Sequence, residues 1–179
     1  RDVVLDGAAG NKLRNRIQFP AQHSSVVSVG GIEADSSFWD VALVEPLAEP
    51  GSNYGSGLTI AAPAKEILST VYPSANWSTD AHCGDSYGPP IASSIGYGGC
   101  TGTSMSAPHI TALLGLIRSA DPLLNRTESK NILTRSATKC TGSNSDRCGP
   151  GFPDAVKAVA DALGGPAVIN RVTPLFSFY

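Results

Sequence analysis

The sequence predicts an α/β protein in which a parallel sheet is flanked by helices. Three observations predict it. Short apolar strand-like runs are confined to the N-terminal part of the chain, and long helical patterns begin only at Ser104. The chain has 179 residues, which suits one domain with a real core. Hydrophobic residues make up 41%, which fits a globular protein and argues against disorder.

The elements follow in order. Val3-Val4-Leu5 reads as a buried strand, and it runs into the small-residue turn Ala8-Ala9-Gly10-Asn11. Val26-Val27-Ser28-Val29 reads as a second strand, ended by Gly30-Gly31. Trp39 to Gly57 is rich in Pro, Gly and Ser and reads as loop. Leu58-Thr59-Ile60 is a third strand, stopped at Ala61-Ala62-Pro63, and Ile67 to Val71 a fourth. Residues 72–103 read as exposed loops. A helix over Ser104 to Ser119 carries Ile110, Leu113, Leu114, Leu116 and Ile117, and so much apolar surface predicts a central, buried helix. A second helix runs over Thr127 to Ser136, with Thr127 as N-cap and Glu128 in its first turn. A third starts at Pro153, presents Val156, Val159, Ala160 and Leu163 on one face, and stops at Gly164. After the Gly164-Gly165-Pro166 break, Val172 to Tyr179 is an aromatic, β-prone run. Residues 166–179 therefore read as a linker and the start of a further module, and 1–165 as one unit.

Composition excludes several classes of function. Net charge is −2, so neither nucleic acid nor an anionic membrane is an expected partner. No apolar run is long enough to span a bilayer. Cys83, Cys100, Cys140 and Cys148 lack zinc-like spacing, and they allow three disulfide pairings. Cys83–Cys100 with Cys140–Cys148 is favoured, because each bond closes a short Gly/Ser-rich loop. Disulfides imply an oxidising, secreted setting. Asn76-Trp77-Ser78 and Asn125-Arg126-Thr127 are glycosylation sequons, which often arise by chance.

The chemistry centres on Ser104. It follows Gly102-Thr103 and opens an apolar helix, so its hydroxyl sits at a positive helix end where an acyl-transfer nucleophile would sit. The first backbone N–H groups of a helix have no internal partner, so Ser104 can supply one donor to a developing oxyanion. Asn11 is the best second donor. It ends the Ala8-Ala9-Gly10 turn just beyond the C-terminal end of a strand, where ligand sites in open α/β sheets lie.

Several segments together resemble the subtilisin-like serine peptidases. Ala8-Ala9-Gly10-Asn11 is similar to the oxyanion-asparagine segment of that family. Val26 to Gly30 is similar to its next core strand. Ser52-Asn53-Tyr54-Gly55, followed by Ile60-Ala61-Ala62-Pro63, matches a further signature. Gly102-Thr103-Ser104-Met105-Ser106-Ala107-Pro108-His109 resembles the nucleophile motif, and Cys148 to Ala155 resembles the closing turn before the last helix. The order and spacing agree over roughly residues 1–165. The resemblance implies that Ser104 is the nucleophile and Asn11 the oxyanion donor. It implies that Thr103 supports the nucleophile turn, that Ala8, Ala9 and Gly10 form part of the floor of the P1 pocket, and that Met105 lines the site. Oxidation of Met105, the sole methionine, would place a polar sulfoxide beside Ser104.

Departures matter as much. In these enzymes the chain order is Asp, His, Ser, and both earlier members have no matching position here. Ala64 stands where the family has glycine, and Thr111-Ala112 replaces the usual Ala-Gly. His109 is rotated roughly 140° from Ser104 along the helix, at about 100° per residue, so it cannot take the serine proton; it reads as a structural histidine bonded to a neighbouring loop. His23 and His82 read as loop histidines, and Asp6 lies too close to Asn11 to fill the aspartate's place. A hydrolase elbow of G-x-S-x-G type fails because Ser106 replaces the last glycine. Sedolisins share the Gly-Thr-Ser turn but use an aspartate as oxyanion donor.

The chain is thus expected to be the C-terminal part of a secreted endopeptidase domain, incomplete and inactive without an N-terminal segment that carries Asp and His. Its substrate would be a polypeptide. No cofactor is expected beyond calcium, which the resemblance admits without naming ligands. The alternative is a scaffold or binding module that kept the fold and lost the chemistry.

Overall fold

The middle strand organises the molecule. In the computed structural model, which describes residues 2–40, 50–70 and 97–164, β2 spans Val26–Ile32 and lies between β1 (Leu5–Ala8) and β3 (Ile60–Pro63). All three are parallel. Leu5 pairs with Val26 and Ala8 with Val29; Val29 pairs in turn with Ile60 and Ile32 with Pro63. β2 is covered on both faces, as strands of a parallel sheet are. Val27 and Val29 face the main core, while Ile32 joins a second cluster with Phe38, Ala61 and the Cys140 and Cys148 sulfurs.

α1, Thr103–Ala120, packs across all three strands. Its Ile110, Leu113, Leu114 and Ile117 meet Val27, Val29, Ile60 and Ala62. α2 (Arg126–Arg135) and α3 (Ala155–Ala162) close the same core with Ile132, Leu133, Ala158 and Ala162. An antiparallel ribbon of β4 (Ile67–Thr70) and β5 (Tyr97–Cys100) leads from the sheet to α1. A second small ribbon, β6 (Ala137–Thr138) with β7 (Phe152–Pro153), precedes α3.

Several expectations are corrected. β1 begins at Leu5, not Val3, and Val3 and Leu5 are 55% and 54% exposed rather than buried. Among the described residues β1 has a partner on only one side, so its outer edge lacks the cover a buried strand needs. β2 runs through Gly30-Gly31 instead of ending there, pairing them with Ala61 and Ala62; a Cβ on Gly31 would lie 2.7 Å from that of Ala64, and Leu58 and Ser52 pack closely on Gly30. β3 spans Ile60–Pro63: it begins at the last residue read as strand and runs through Ala61-Ala62-Pro63, read as its stop. Residues 97–100 form β5 and not loop.

The helices shift too. α1 is not buried all round: Leu116 is 56% exposed, and Thr111, Ala112 and Gly115 lie open on the same side. α2 is capped by Asn125, not Thr127. The Asn125 side chain accepts from Glu128 N at 3.0 Å, and the Glu128 carboxylate accepts from Asn125 N at 2.8 Å, a reciprocal capping box. α3 is capped by Asp154 and turns Ala158 and Ala162 inward, leaving Val156 69% exposed.

Cys140 and Cys148 are bonded as expected. Cys100 is also disulfide-bonded; Cys83, its expected partner, lies outside the described residues, as do His82, Asn76 and the run 166–179.

Candidate active site

Three loops meet at the C-terminal end of the sheet. β1 ends at Ala8, and the chain turns through Ala9 and Gly10 into Asn11. Gly102 opens α1 in a positive-φ conformation, at +149°. A side chain there would be strained, and its Cβ would lie 3.0 Å from Asn11 Nδ2. Glycine thus lets the asparagine amide lie against the start of α1.

Asn11 is fixed by Thr103. Its Oδ1 accepts from Thr103 N at 2.9 Å and from Thr103 Oγ1 at 2.7 Å. The first orphan N–H of α1 is therefore capped by a side chain from a distant loop, since Gly102 offers no side-chain cap. Oδ1 is the end turned to Thr103, and the NH₂ end of the Asn11 amide is a donor by chemistry. Thr103 is buried, and its hydroxyl oxygen also accepts from Gly10 N at 3.1 Å. One threonine thus clips both Gly10 and Asn11 to the start of α1.

Ser104 is exposed and is the second residue of α1. Its hydroxyl has no hydrogen-bond partner among the described residues. Ser106, the other serine of the motif, is fully buried and bonds the Ala62 and Pro63 carbonyls at 3.0 and 3.2 Å, tying α1 to the end of β3. Only Ser104 of the two is available for attack. Pro108 lacks an N–H, so the Ser104 carbonyl has no i+4 helical donor. Met105 is half-buried, and its N–H bonds the Gly102 carbonyl at 2.9 Å.

The floor beside Asn11 is rigid. Ala9 is buried; its N–H bonds Val29 O at 2.8 Å and its carbonyl accepts from Gln18 N at 3.0 Å. Ala8, at the end of β1, is partly buried. Gly10 has φ +105° and no room for a Cβ, which would meet Asn53 Nδ2 at 2.5 Å and the Gln18 amide at 2.6 Å.

None of the described histidines reaches Ser104 as a base. His109 is exposed, and its Nδ1 contacts the carbonyl of Met105 at 2.8 Å. It bonds its own helix, not a neighbouring loop as expected. His23 accepts from Ser25 N at 3.2 Å in its turn. Asp6 accepts from Thr111 Oγ1 at 2.8 Å, on the open side of α1. Among the described residues no group of three or more His, Cys, Asp or Glu side chains could hold a metal. No described helix is long and apolar enough to cross a membrane.

Sequence reasoning left two site residues without a role. Ser52 Oγ accepts from Gly31 N at 2.9 Å and donates to Asn53 O at 2.8 Å. Asn53 reaches from there into the Asn11 loop. The Ser52-Asn53-Tyr54-Gly55 signature marks the segment, but not which of its side chains acts or on what.

Residues 2–151 match the sequence profile described as the subtilase family. This chain belongs to that family. The subtilase chain is 31% identical, over 93% of its length, to an extracellular basic protease of Dichelobacter nodosus, and covers 24% of that protein. It is 30% identical, over 92% of its length, to an extracellular protease of Xanthomonas campestris, covering 25% of it. It thus spans about a quarter of these relatives. A solved protease of Pseudoalteromonas arctica shares the fold at a TM-score of 0.65 with 28% identity, over 90% of this chain and 43% of that one. The parallel sheet flanked by helices is therefore the subtilisin-like fold.

Proposed function

We propose that this chain is the nucleophile- and oxyanion-bearing part of a secreted serine endopeptidase. The observation that carries this is the Asn11–Thr103 clamp beside an exposed Ser104 whose hydroxyl has no partner among the described residues. Ser104 Oγ attacks the scissile carbonyl. The tetrahedral oxygen gains charge and is met by Ser104 N–H at the start of α1 and by the Asn11 amide. Collapse expels the amine and leaves an acyl-enzyme on Ser104, which water then hydrolyses. Ala8, Ala9 and Gly10 floor the pocket for the P1 side chain, and Met105 lines the site. The proton acceptor is a histidine, oriented by an aspartate, on an N-terminal segment that packs against the open side of β1 and α1. Without it Ser104 stays a neutral alcohol, and the chain alone is inactive.

Secretion is supported by the bonded cysteines and by the extracellular relatives. The test replaces Ser104 by Ala in the protein assembled with its Asp- and His-bearing segment. Loss of peptide-bond cleavage with the fold intact is expected. Unchanged cleavage would remove Ser104 from the mechanism, and an inactive assembly would favour a scaffold.

A further inference from the structure

We infer that Asn53 is a positioning residue of this site: its buried carboxamide locks segment 9–14 and so aims Asn11 at the nucleophile turn. The inference rests on the reading of Asn11 as oxyanion donor.

Asn53 is 1% exposed, and it lies about forty residues along the chain from the groups it binds. Its Oδ1 accepts from Lys12 N at 3.0 Å and from Arg14 N at 3.1 Å. Its Nδ2 donates to Ala9 O at 3.1 Å. Backbone N–H groups can only donate and a carbonyl can only accept, so these three bonds fix which end of the amide is which. Its own N–H donates to Gly10 O at 2.7 Å, and the next residue, Tyr54, donates to Arg14 O at 2.9 Å.

The bonds therefore grip the segment on both sides of Asn11. The grip is needed because β1 stops at Ala8, so most polar backbone groups beyond it have no strand to pair with. Asn53 is itself rooted in the sheet through Ser52, which bonds Gly31 N. Gly10 is cut to fit, since any Cβ there would lie 2.5 Å from Asn53 Nδ2. The path runs from β2 through Ser52 and Asn53 to the Asn11 segment, and from Asn11 to Thr103. Asn53 touches no reacting atom; its effect is exerted through Asn11.

A double-mutant cycle in the assembled peptidase tests this. Asn53→Ala should lower kcat about 10- to 100-fold, the range that small misplacement of catalytic groups produces. KM should change by less than about threefold, and Asn53→Asp, which keeps the acceptor oxygen, should recover part of the loss. In an Asn11→Ala background, Asn53→Ala should add less than about twofold, because the group it positions is gone. Equal losses in both backgrounds, or no loss in either, would overturn the inference. If Asn11→Ala is itself silent, the oxyanion reading fails instead. Amide exchange then judges the lock separately: Lys12 and Arg14 should lose protection in Asn53→Leu, which lacks the acceptor oxygen, while α1 keeps its own. Retained protection overturns the lock whatever the kinetics show, and it serves equally if Asn53→Ala does not fold.

Discussion

The two ends of α1 are built differently. At its N-terminus, Gly10, Asn11, Asn53, Thr103 and Ser106 are knitted by side-chain hydrogen bonds that the chain supplies to itself. Along its flank, Leu116, Val3 and Leu5 are each more than half exposed, and a shallow groove lined by Val3, Val4, Thr111, Leu114 and Gly115 lies between α1 and the lead-in to β1. Exposed apolar surface of this kind marks an interaction site or an aggregation liability. The contrast is between groups held by bonds within this chain and a flank whose apolar surface lies open among the described residues. On the proposed function, the first is a preorganised oxyanion end made of local bonds, and the second is the face that another segment covers.

Breaking the oxyanion end should have the largest effects. In the assembled protein, Ser104→Ala should lower kcat by about 10⁶ and Asn11→Leu by about 10²–10³; both magnitudes are those of subtilisin itself. Steady-state kinetics check both, and a ratio near one for either would dissolve the contrast. Gly102→Ala should destabilise by about 1–3 kcal/mol through its positive φ and should also push on Asn11 Nδ2. Denaturant melts should show the first effect and a kcat loss the second.

The flank sharpens the comparison through a sign reversal. Leu116→Glu should raise the soluble yield of this chain alone, because it removes exposed apolar surface. The same change should lower the stability of the assembled protein by about 2 kcal/mol, as the loss of a buried leucine does. Equal behaviour in both settings would mean the flank is never covered. Opening the Cys140–Cys148 loop by a double Ser substitution should cost about 2–3 kcal/mol of chain entropy, read from denaturant melts.

The smallest effect is electrostatic. The Lys157 ammonium, with Arg135, holds the Asp161 carboxyl below its ordinary 3.8 against a small burial penalty. The folded pKa is the lower one, so this contribution is complete above the unfolded pKa and is lost as pH falls through the folded value. Asp161→Asn should remove less than about 1 kcal/mol at neutral pH, because both partners are half-exposed and well screened. The variant should lose correspondingly less stability between pH 5 and acid.

Much of this was legible in the sequence because the key groups sit in contiguous motifs. Gly102-Thr103-Ser104 and Ala8-Ala9-Gly10-Asn11 each announce a turn at the end of a regular element. That they touch follows from α1 packing across the parallel sheet whose first strand ends at Ala8. Boundaries were legible only where propensity and packing agree. Gly30-Gly31 reads as a strand end, yet β2 continues because both residues pair with β3, and the side chains packed on them leave no room for a Cβ at Gly31 and little at Gly30. Asn125 and Thr127 are both good caps, and the reciprocal bond with Glu128 chooses the former. The open side of α1 was misread because leucine spacing reports apolar character, not whether a neighbour is present. The Ser52-Asn53-Tyr54-Gly55 signature marks the segment but not the role of Asn53, whose partners are four backbone groups in a segment about forty residues away.

Fluorophosphonate labelling of this chain, alone and after addition of the upstream Asp- and His-bearing segment, tests the central claim most directly. The account predicts no label on the folded chain alone and one label, mapped to Ser104, once the segment is added. Labelling of Ser104 in the chain alone, with an intact mass that excludes a bound segment, would contradict it.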